Sequence, residues 1–201
     1  KKDILMLTSI VDLLEAHPPT VEEKTSKYQI YCDMDGVLTD FESRFHEKLN
    51  EVGPKYYPLK DIKKVVKPKD FEAIFGMSEF WKFIDQTVGV AFWVGMDWMP
   101  RGKELWSFIS KYNPSLLTSP SRDNTSRLGK NLWTKNNLKP KPKVIFAYSA
   151  SKQNYANPNA ILIDDKKSNI EEWRAKGGIA FRVKGGDITE AINGLKELGY
   201  E

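Results

Sequence analysis

Tyr28-Gln-Ile-Tyr-Cys-Asp33-Met-Asp35-Gly36-Val-Leu-Thr-Asp40 is the stretch on which the reading of this chain turns. A short apolar run, Ile30 to Cys32, delivers two carboxylates one residue apart, and a glycine follows at once. Such a run, stopped by a Gly-marked turn, predicts a buried strand that breaks off at its carboxyl end. In open α/β sheets that end is where ligands bind. Two acids crowded there repel each other unless a cation or a proton-transfer role explains them. An Asp-x-Asp pair alone is an ordinary solvated-turn pattern; three later matches, each behind a short apolar run, give this one its weight.

Working outward, the spacing predicts strands at Ser115 to Leu117, Val144 to Ala147, Ala160 to Ile163 and Ile179 to Val183. Between them lie helices. Pro100 opens one carrying Leu105, Trp106, Phe108 and Ile109. Another has Leu128, Leu132 and Trp133 on its apolar side. Ser168-Asn-Ile-Glu171 reads as a capping box ahead of a helix ended by Gly177-Gly178, and Asp187-Ile-Thr-Glu190 caps a last helix. Strands alternating with capped helices predict a doubly wound parallel sheet with helices on both faces.

The predicted organisation is an N-terminal helical extension and linker over 1–27, an α/β core from 28–40 and 100–201, and a helical insertion over 41–99. The insertion is rich in aromatics and lysines and shows no alternating strand pattern. Its Lys60, Lys63, Lys64, Lys67 and Lys69 read as a solvated basic face or, less favoured, a phosphate-steering surface.

The chain has 201 residues and a formal net charge of +4, enough to favour anionic ligands but far from a dedicated nucleic-acid binder. The single cysteine, Cys32, excludes an internal disulfide and reads as a packed thiol in a reducing compartment. His17 and His46 are isolated, so no zinc spacing arises. The stripe Ile4, Leu5, Leu7, Val11, Leu14 is broken by Asp3 and Asp12, which fits neither a signal peptide nor a membrane span. A cytoplasmic protein is expected (the host's cytoplasm if the gene is viral), and a start at Lys1 suggests a trimmed or incomplete terminus.

Four polar clusters follow predicted strands: Asp33/Asp35, Thr118/Ser119, the Lys152 loop and Asp164/Asp165. In a doubly wound sheet these strand ends share one crevice. Several carboxylates with few histidines select Mg²⁺. With a lysine and a hydroxyl added, the set can hold a phosphate, which a carboxylate attacks to form an aspartyl-phosphate. A second acid protonates the leaving alcohol and later activates water.

Asp33-x-Asp35-Gly-Val-Leu-Thr, a strand ending at Thr118, Lys152, and Ile-Asp164-Asp165 together resemble the four motifs of the haloacid dehalogenase (HAD) superfamily, from about Tyr28 to Val183. The resemblance implies Asp33 as nucleophile, Asp35 as general acid/base, and Thr118 and Lys152 on the phosphoryl group. It also implies Mg²⁺ held by Asp33, the Asp35 carbonyl and the Asp164/Asp165 pair, with Asp165 the preferred direct ligand. A narrower resemblance is to the 5′(3′)-deoxyribonucleotidases, through Leu117-Thr118-Ser119-Pro120, Lys130-x-x-Trp133, Phe92-Trp93, Met99-Pro100 and Ile163-Asp-Asp-Lys166. It implies Ser119 and Lys130 on the phosphate or sugar, and Phe92 or Trp93 lining a base pocket. The segment Phe41 to Val90 aligns poorly with that family, so the resemblance does not fix base choice or sugar preference. The expected activity is therefore Mg²⁺-dependent phosphatase action on a small phosphorylated substrate, a nucleoside monophosphate by preference. The rivals are a sugar phosphatase, a 3′-phosphatase acting on nucleic-acid ends, and a binding module without activity.

Overall fold

A computed structural model describes residues 27–201. The helix predicted near the N-terminus therefore lies outside the described residues.

Five strands carry the core: β1 (Gln29–Cys32), β2 (Ser115–Thr118), β3 (Val144–Phe146), β4 (Ala160–Asp164) and β5 (Ile179–Arg182). They form one parallel sheet in the order β3-β2-β1-β4-β5. Tyr31 lies opposite Ser115 on one side and Leu162 on the other. The period-two side-chain alternation of strands divides the core into two layers. Ile30, Cys32, Leu116, Ile161 and Ile163 face one layer, with Leu105, Ile109 and Leu195. Tyr31, Leu117, Leu162 and Ala180 face the other, with Ile170 and Trp173. Both sheet faces are thus covered, as the run of apolar residues in β4 requires.

The chain moves from β1 outward to β2 and β3, then crosses back to β4 and β5 on the far side. The carboxyl ends of β1, β2 and β4 therefore border the point where strand order reverses, the place such sheets use for ligands.

Between β1 and β2 come α1 (Phe41–Glu51), α2 (Leu59–Ile62), α3 (Pro68–Phe75), α4 (Met77–Lys82), a π-helical run Phe83–Val88, α5 (Val90–Val94) and α6 (Gly102–Ile109). Asp40 caps α1 by accepting from the Ser43 amide at 2.9 Å. The two ends of this excursion are tied together: the Asp40 amide donates to the Asp97 carbonyl and the Met99 amide to that of Leu38. Its aromatics pack on one another, with the Phe45 ring centroid 5.1 Å from Phe80 and 5.6 Å from Phe71. After β2 follow α7 (Asn124–Asn137), α8 (Ser149–Lys152), α9 (Lys167–Ala175) and α10 (Thr189–Glu197).

Several boundaries differ from the sequence reading. α6 starts at Gly102 rather than Pro100, because Met99 to Gly102 closes a turn and Arg101 adopts a left-handed conformation (φ 61°). Ser168 does not cap α9: the helix begins at Lys167, and the Asp164 carboxylate accepts the Lys166 amide at 2.9 Å. Leu128 is exposed, and the buried side of α7 is Ser126, Gly129, Lys130, Trp133 and Thr134. That side must bring an ammonium group to the strand ends. Cys32 is fully buried, as read, and burial pushes its thiol pKa up. No helix among the described residues is long and apolar enough to cross a membrane.

Candidate active site

β1 is the central strand, so the residue after it emerges in the middle of the crevice. Asp33 continues the ladder, its amide donating to the Ile163 carbonyl at 2.9 Å, and its Oδ1 accepts the Met34 amide at 2.8 Å. The other oxygen, Oδ2, lies 2.7 Å from Lys152 Nζ. Lys152 closes α8, is 1% exposed, and places the same ammonium 2.7 Å from Asp164 Oδ2. One buried cation thus bridges the ends of β1 and β4. Burial alone would pull the lysine pKa down, but the Asp33 and Asp164 charges outweigh it and hold the group charged.

Asp164 ends β4 and is fully buried. Asn169 Nδ2 lies 3.0 Å from each of its carboxylate oxygens. Burial raises the Asp164 pKa, and the Asp33 charge adds to the rise while Lys152 and Asn169 oppose it. Asp165, the next residue, is pushed up to about 7, by burial first and then by the charges of Asp33 and Asp164. Gly36 permits this arrangement. It sits at φ +77° in the turn after β1, and an added Cβ would lie 2.7 Å from Asp165 Oδ2.

Asp35 faces another way. Its Oδ1 accepts from Thr39 Oγ1 at 3.1 Å, and its Oδ2 is 2.6 Å from Lys130 Nζ. Lys130, fully buried on α7, also donates to Thr118 Oγ1 at 2.9 Å and to the Ser119 carbonyl at 2.7 Å. Seven of the sequence-derived residues therefore fall into two neighbouring groups joined through β1: Asp33, Lys152, Asp164 and Asp165 in one, and Asp35, Lys130 and Thr118 in the other. Ser119 borders the second, with its hydroxyl turned to the Ala147 carbonyl at 3.1 Å. Phe92 and Trp93 are packed away from solvent at 0% and 1% exposure, Trp93 under the Lys130 ammonium at 5.1 Å. Neither ring offers an open face to a base.

The sequence reading missed Asn169 and Thr39. Thr39 was signalled by its place in the turn that ends the Asp-x-Asp motif. Asn169 lies five residues after Asp164, inside the first turn of a helix that points back at the strand end.

Carboxylate oxygens of Asp33, Asp164 and Asp165 all lie within 4.8 Å of one another. These three acids share one ammonium group, that of Lys152, which leaves a formal surplus of two negative charges that one divalent cation would balance. Oxygen donors of this kind suit Mg²⁺, and the raised Asp165 pKa reflects burial first and then the neighbouring Asp33 and Asp164 charges.

No protein-family model and no curated protein matches the chain. Among solved structures, a hydrolase from Pseudomonas syringae is similar, with 15% identity and a TM-score of 0.50 over 85% of this chain and 98% of that one. A hydrolase from Streptococcus pneumoniae has 16% identity and a TM-score of 0.47, over 86% of this chain and 99% of that one. A HAD family enzyme from Bacteroides thetaiotaomicron, described as a magnesium complex, has 16% identity and a TM-score of 0.44, over 83% of this chain and 98% of that one. At these identities the likeness speaks to architecture. With its five parallel strands in the order β3-β2-β1-β4-β5, the chain has a doubly wound α/β fold like that of the Pseudomonas syringae hydrolase.

Proposed function

We propose that this protein is a Mg²⁺-dependent phosphomonoester hydrolase that works through an aspartyl-phosphate on Asp33. The observation that carries the reading is the Lys152 ammonium, held 2.7 Å from both Asp33 and Asp164 at the mouth of the central strands. It fixes the nucleophile and leaves a cation-deficient acidic cluster beside it.

Asp33, Asp164 and Asp165 would hold the Mg²⁺, which when bound neutralises charge on the phosphoryl oxygens. Asp33 attacks phosphorus; the Asp33–phosphorus bond forms as the bond to the substrate alcohol breaks, and Asp35 gives its proton to the departing oxygen. Water then attacks phosphorus, Asp35 takes the water's proton, and the Asp33–phosphorus bond breaks to release phosphate. Lys152 and the Thr118 hydroxyl favour the charge that develops on the transferring group.

The nucleoside monophosphate reading rests on Leu117-Thr118-Ser119-Pro120 and Lys130-x-x-Trp133. A sugar phosphate is favoured by a different observation, the complete burial of Phe92 and Trp93 that removes the expected base pocket. Phosphate release from 5′- and 3′-nucleotides, sugar phosphates and an aryl phosphate, each with Mg²⁺ and with EDTA, tests both. The reading expects Mg²⁺-dependent release that Asp33→Asn abolishes in a folded protein. Release that survives Asp33→Asn overturns it.

A further inference from the structure

A lysine ammonium has three N–H donors, and the protein itself uses all three of Lys130: Asp35 Oδ2, Thr118 Oγ1 and the Ser119 carbonyl, at 2.6, 2.9 and 2.7 Å. None is left for a phosphate. The indole face of Trp93 closes off another side of the group, 5.1 Å from Nζ. Lys130 is therefore built to hold protein atoms, and the shortest of its contacts is to the carboxylate of Asp35.

Trp93 is itself held. Its indole N–H donates to Asp85 Oδ1 at 3.2 Å, and the same oxygen accepts from Thr125 Oγ1 at 3.3 Å. Thr125 lies in the first turn of α7, one helix turn and a residue before Lys130. Gly129 allows the approach, since an added Cβ there would lie 2.3 Å from Trp93 Cβ. A closed circuit results: Asp85 and Trp93, from the excursion between β1 and β2, grip α7 on both sides of Gly129 and support the lysine from beneath.

Deepening the phosphatase reading, and resting on its assignment of Asp35, we propose that Lys130 is the positioning residue for the acid/base Asp35, with Trp93 and Asp85 holding Lys130 in place. Lys130 fixes Oδ2, and Thr39 fixes Oδ1. A hydroxyl both donates and accepts, so the Thr39 contact persists whether Asp35 carries a proton or not. The carboxyl group is thereby aimed at the leaving oxygen rather than free to turn. Misplacement of a proton donor by about 1 Å is enough to cost about a hundredfold in rate.

The proposal fits substrates whose leaving group needs that proton, the phosphomonoesters of ordinary alcohols. An aryl phosphate such as p-nitrophenyl phosphate departs as a stabilised anion and needs little protonation. The test compares kcat/KM of wild type and Lys130→Met on a nucleoside or sugar phosphate and on p-nitrophenyl phosphate. This ratio reports the steps up to formation of the aspartyl-phosphate, so the later activation of water does not enter it.

The expected result is a loss on the alkyl ester at least about tenfold greater than on the aryl ester, within the range that general acid catalysis supplies. Equal losses on both, or none on either, would overturn the proposal. Should Lys130→Met fail to fold by circular dichroism, Trp93→Phe keeps a ring beneath the lysine but loses the bond to Asp85. It is read by the same selectivity, and equal losses again overturn the idea. Asp33→Asn separates the two readings. If it silences both esters while Lys130→Met shows no selectivity, the phosphatase stands and the positioning role falls. If wild type releases phosphate from neither, both fall together.

Discussion

Gly36→Ala tests the link between the turn after β1 and the acidic cluster. Two costs follow from the geometry. Gly36 sits at φ +77°, where an L-residue with a Cβ loses about 1–2 kcal/mol. The new methyl would also lie 2.7 Å from Asp165 Oδ2 and 2.8 Å from Asp165 Cγ, well inside the roughly 3.5–4 Å at which such atoms rest. The turn cannot easily yield, because the Gly36 amide is bonded to the Thr39 carbonyl and the Val37 and Leu38 amides both go to Met34. The carboxylate must therefore retreat. Backbone strain alone should lower the melting temperature by about 2–8 °C at this chain length. Moving a metal ligand off its geometry should weaken Mg²⁺ by roughly 10–100-fold, by analogy with disturbed ligand supports. The assay is thermal melting across a Mg²⁺ titration, where each tenfold of lost affinity removes about 1.4 kcal/mol of stabilisation at a fixed concentration well above both dissociation constants. If the variant melts lower but its Mg²⁺ midpoint stays put, Asp165 is not a ligand. If neither quantity moves, the account of Gly36 is wrong.

Gly129→Ala should destabilise, although glycine to alanine inside a helix ordinarily gains about 1 kcal/mol. Here the added Cβ meets Trp93 Cβ at 2.3 Å and the Val90 carbonyl at 3.2 Å, and overpacking of this kind costs about 1–3 kcal/mol; urea unfolding that shows a gain would refute it. Asp85→Asn should melt higher than wild type at neutral pH, with the difference shrinking as the solution is acidified. Burial raises the Asp85 pKa against the pull of hydrogen bonds from Ser121, Trp93 and Thr125. A raised folded-state pKa favours folding below the ordinary carboxylate range, and that benefit is lost as pH rises through the folded value. The ionised form is thus a cost at neutral pH, and a lower melting point for the asparagine variant would contradict this. Lys152→Met should lose about 3–5 kcal/mol in EDTA, because it leaves the buried Asp33 and Asp164 carboxylates facing each other without a counter-charge. Chemical denaturation that shows less than about 1 kcal/mol would mean the ammonium does not balance them.

The sheet was legible because its strands are buried on both faces and read as short apolar runs, each closed by an acid, a hydroxyl or a turn. What local pattern could not reach were the places where a distant group does a local job. Ser168 has the right chemistry for a helix cap, yet Asp164, brought close by the end of β4, accepts the amide at that helix's start instead. Leu128 fits an apolar stripe on α7 with Leu132 and Trp133, but only Trp133 of the three is buried, and Leu128 is turned out from the side that carries Lys130. Between β1 and β2 the rings of Phe45, Phe71, Phe80 and Phe83 pack on one another as core, and no feature of Phe83–Val88 announced its π-helical turn.

Charge accounting shows why the site was legible as a set of residue types but not as a set of roles. From sequence, Lys130 and Lys152 are two similar cations near four acids. In three dimensions they divide the work: Lys152 serves Asp33 and Asp164, while Lys130 serves Asp35. Among the described residues no lysine or arginine side chain pairs with Asp165, and its carboxyl is the one pushed up to about 7. A spectator acid in a solvated turn would have no reason to sit within 4.8 Å of two other carboxylates and against a glycine that leaves it room. Mutual repulsion of this kind is a standing cost to the folded chain, and a divalent cation that relieves it would stabilise the fold as it binds. On the proposed reading, the cation that the chemistry needs would also offset this repulsion, so metal affinity and the stability of the acidic cluster would change together.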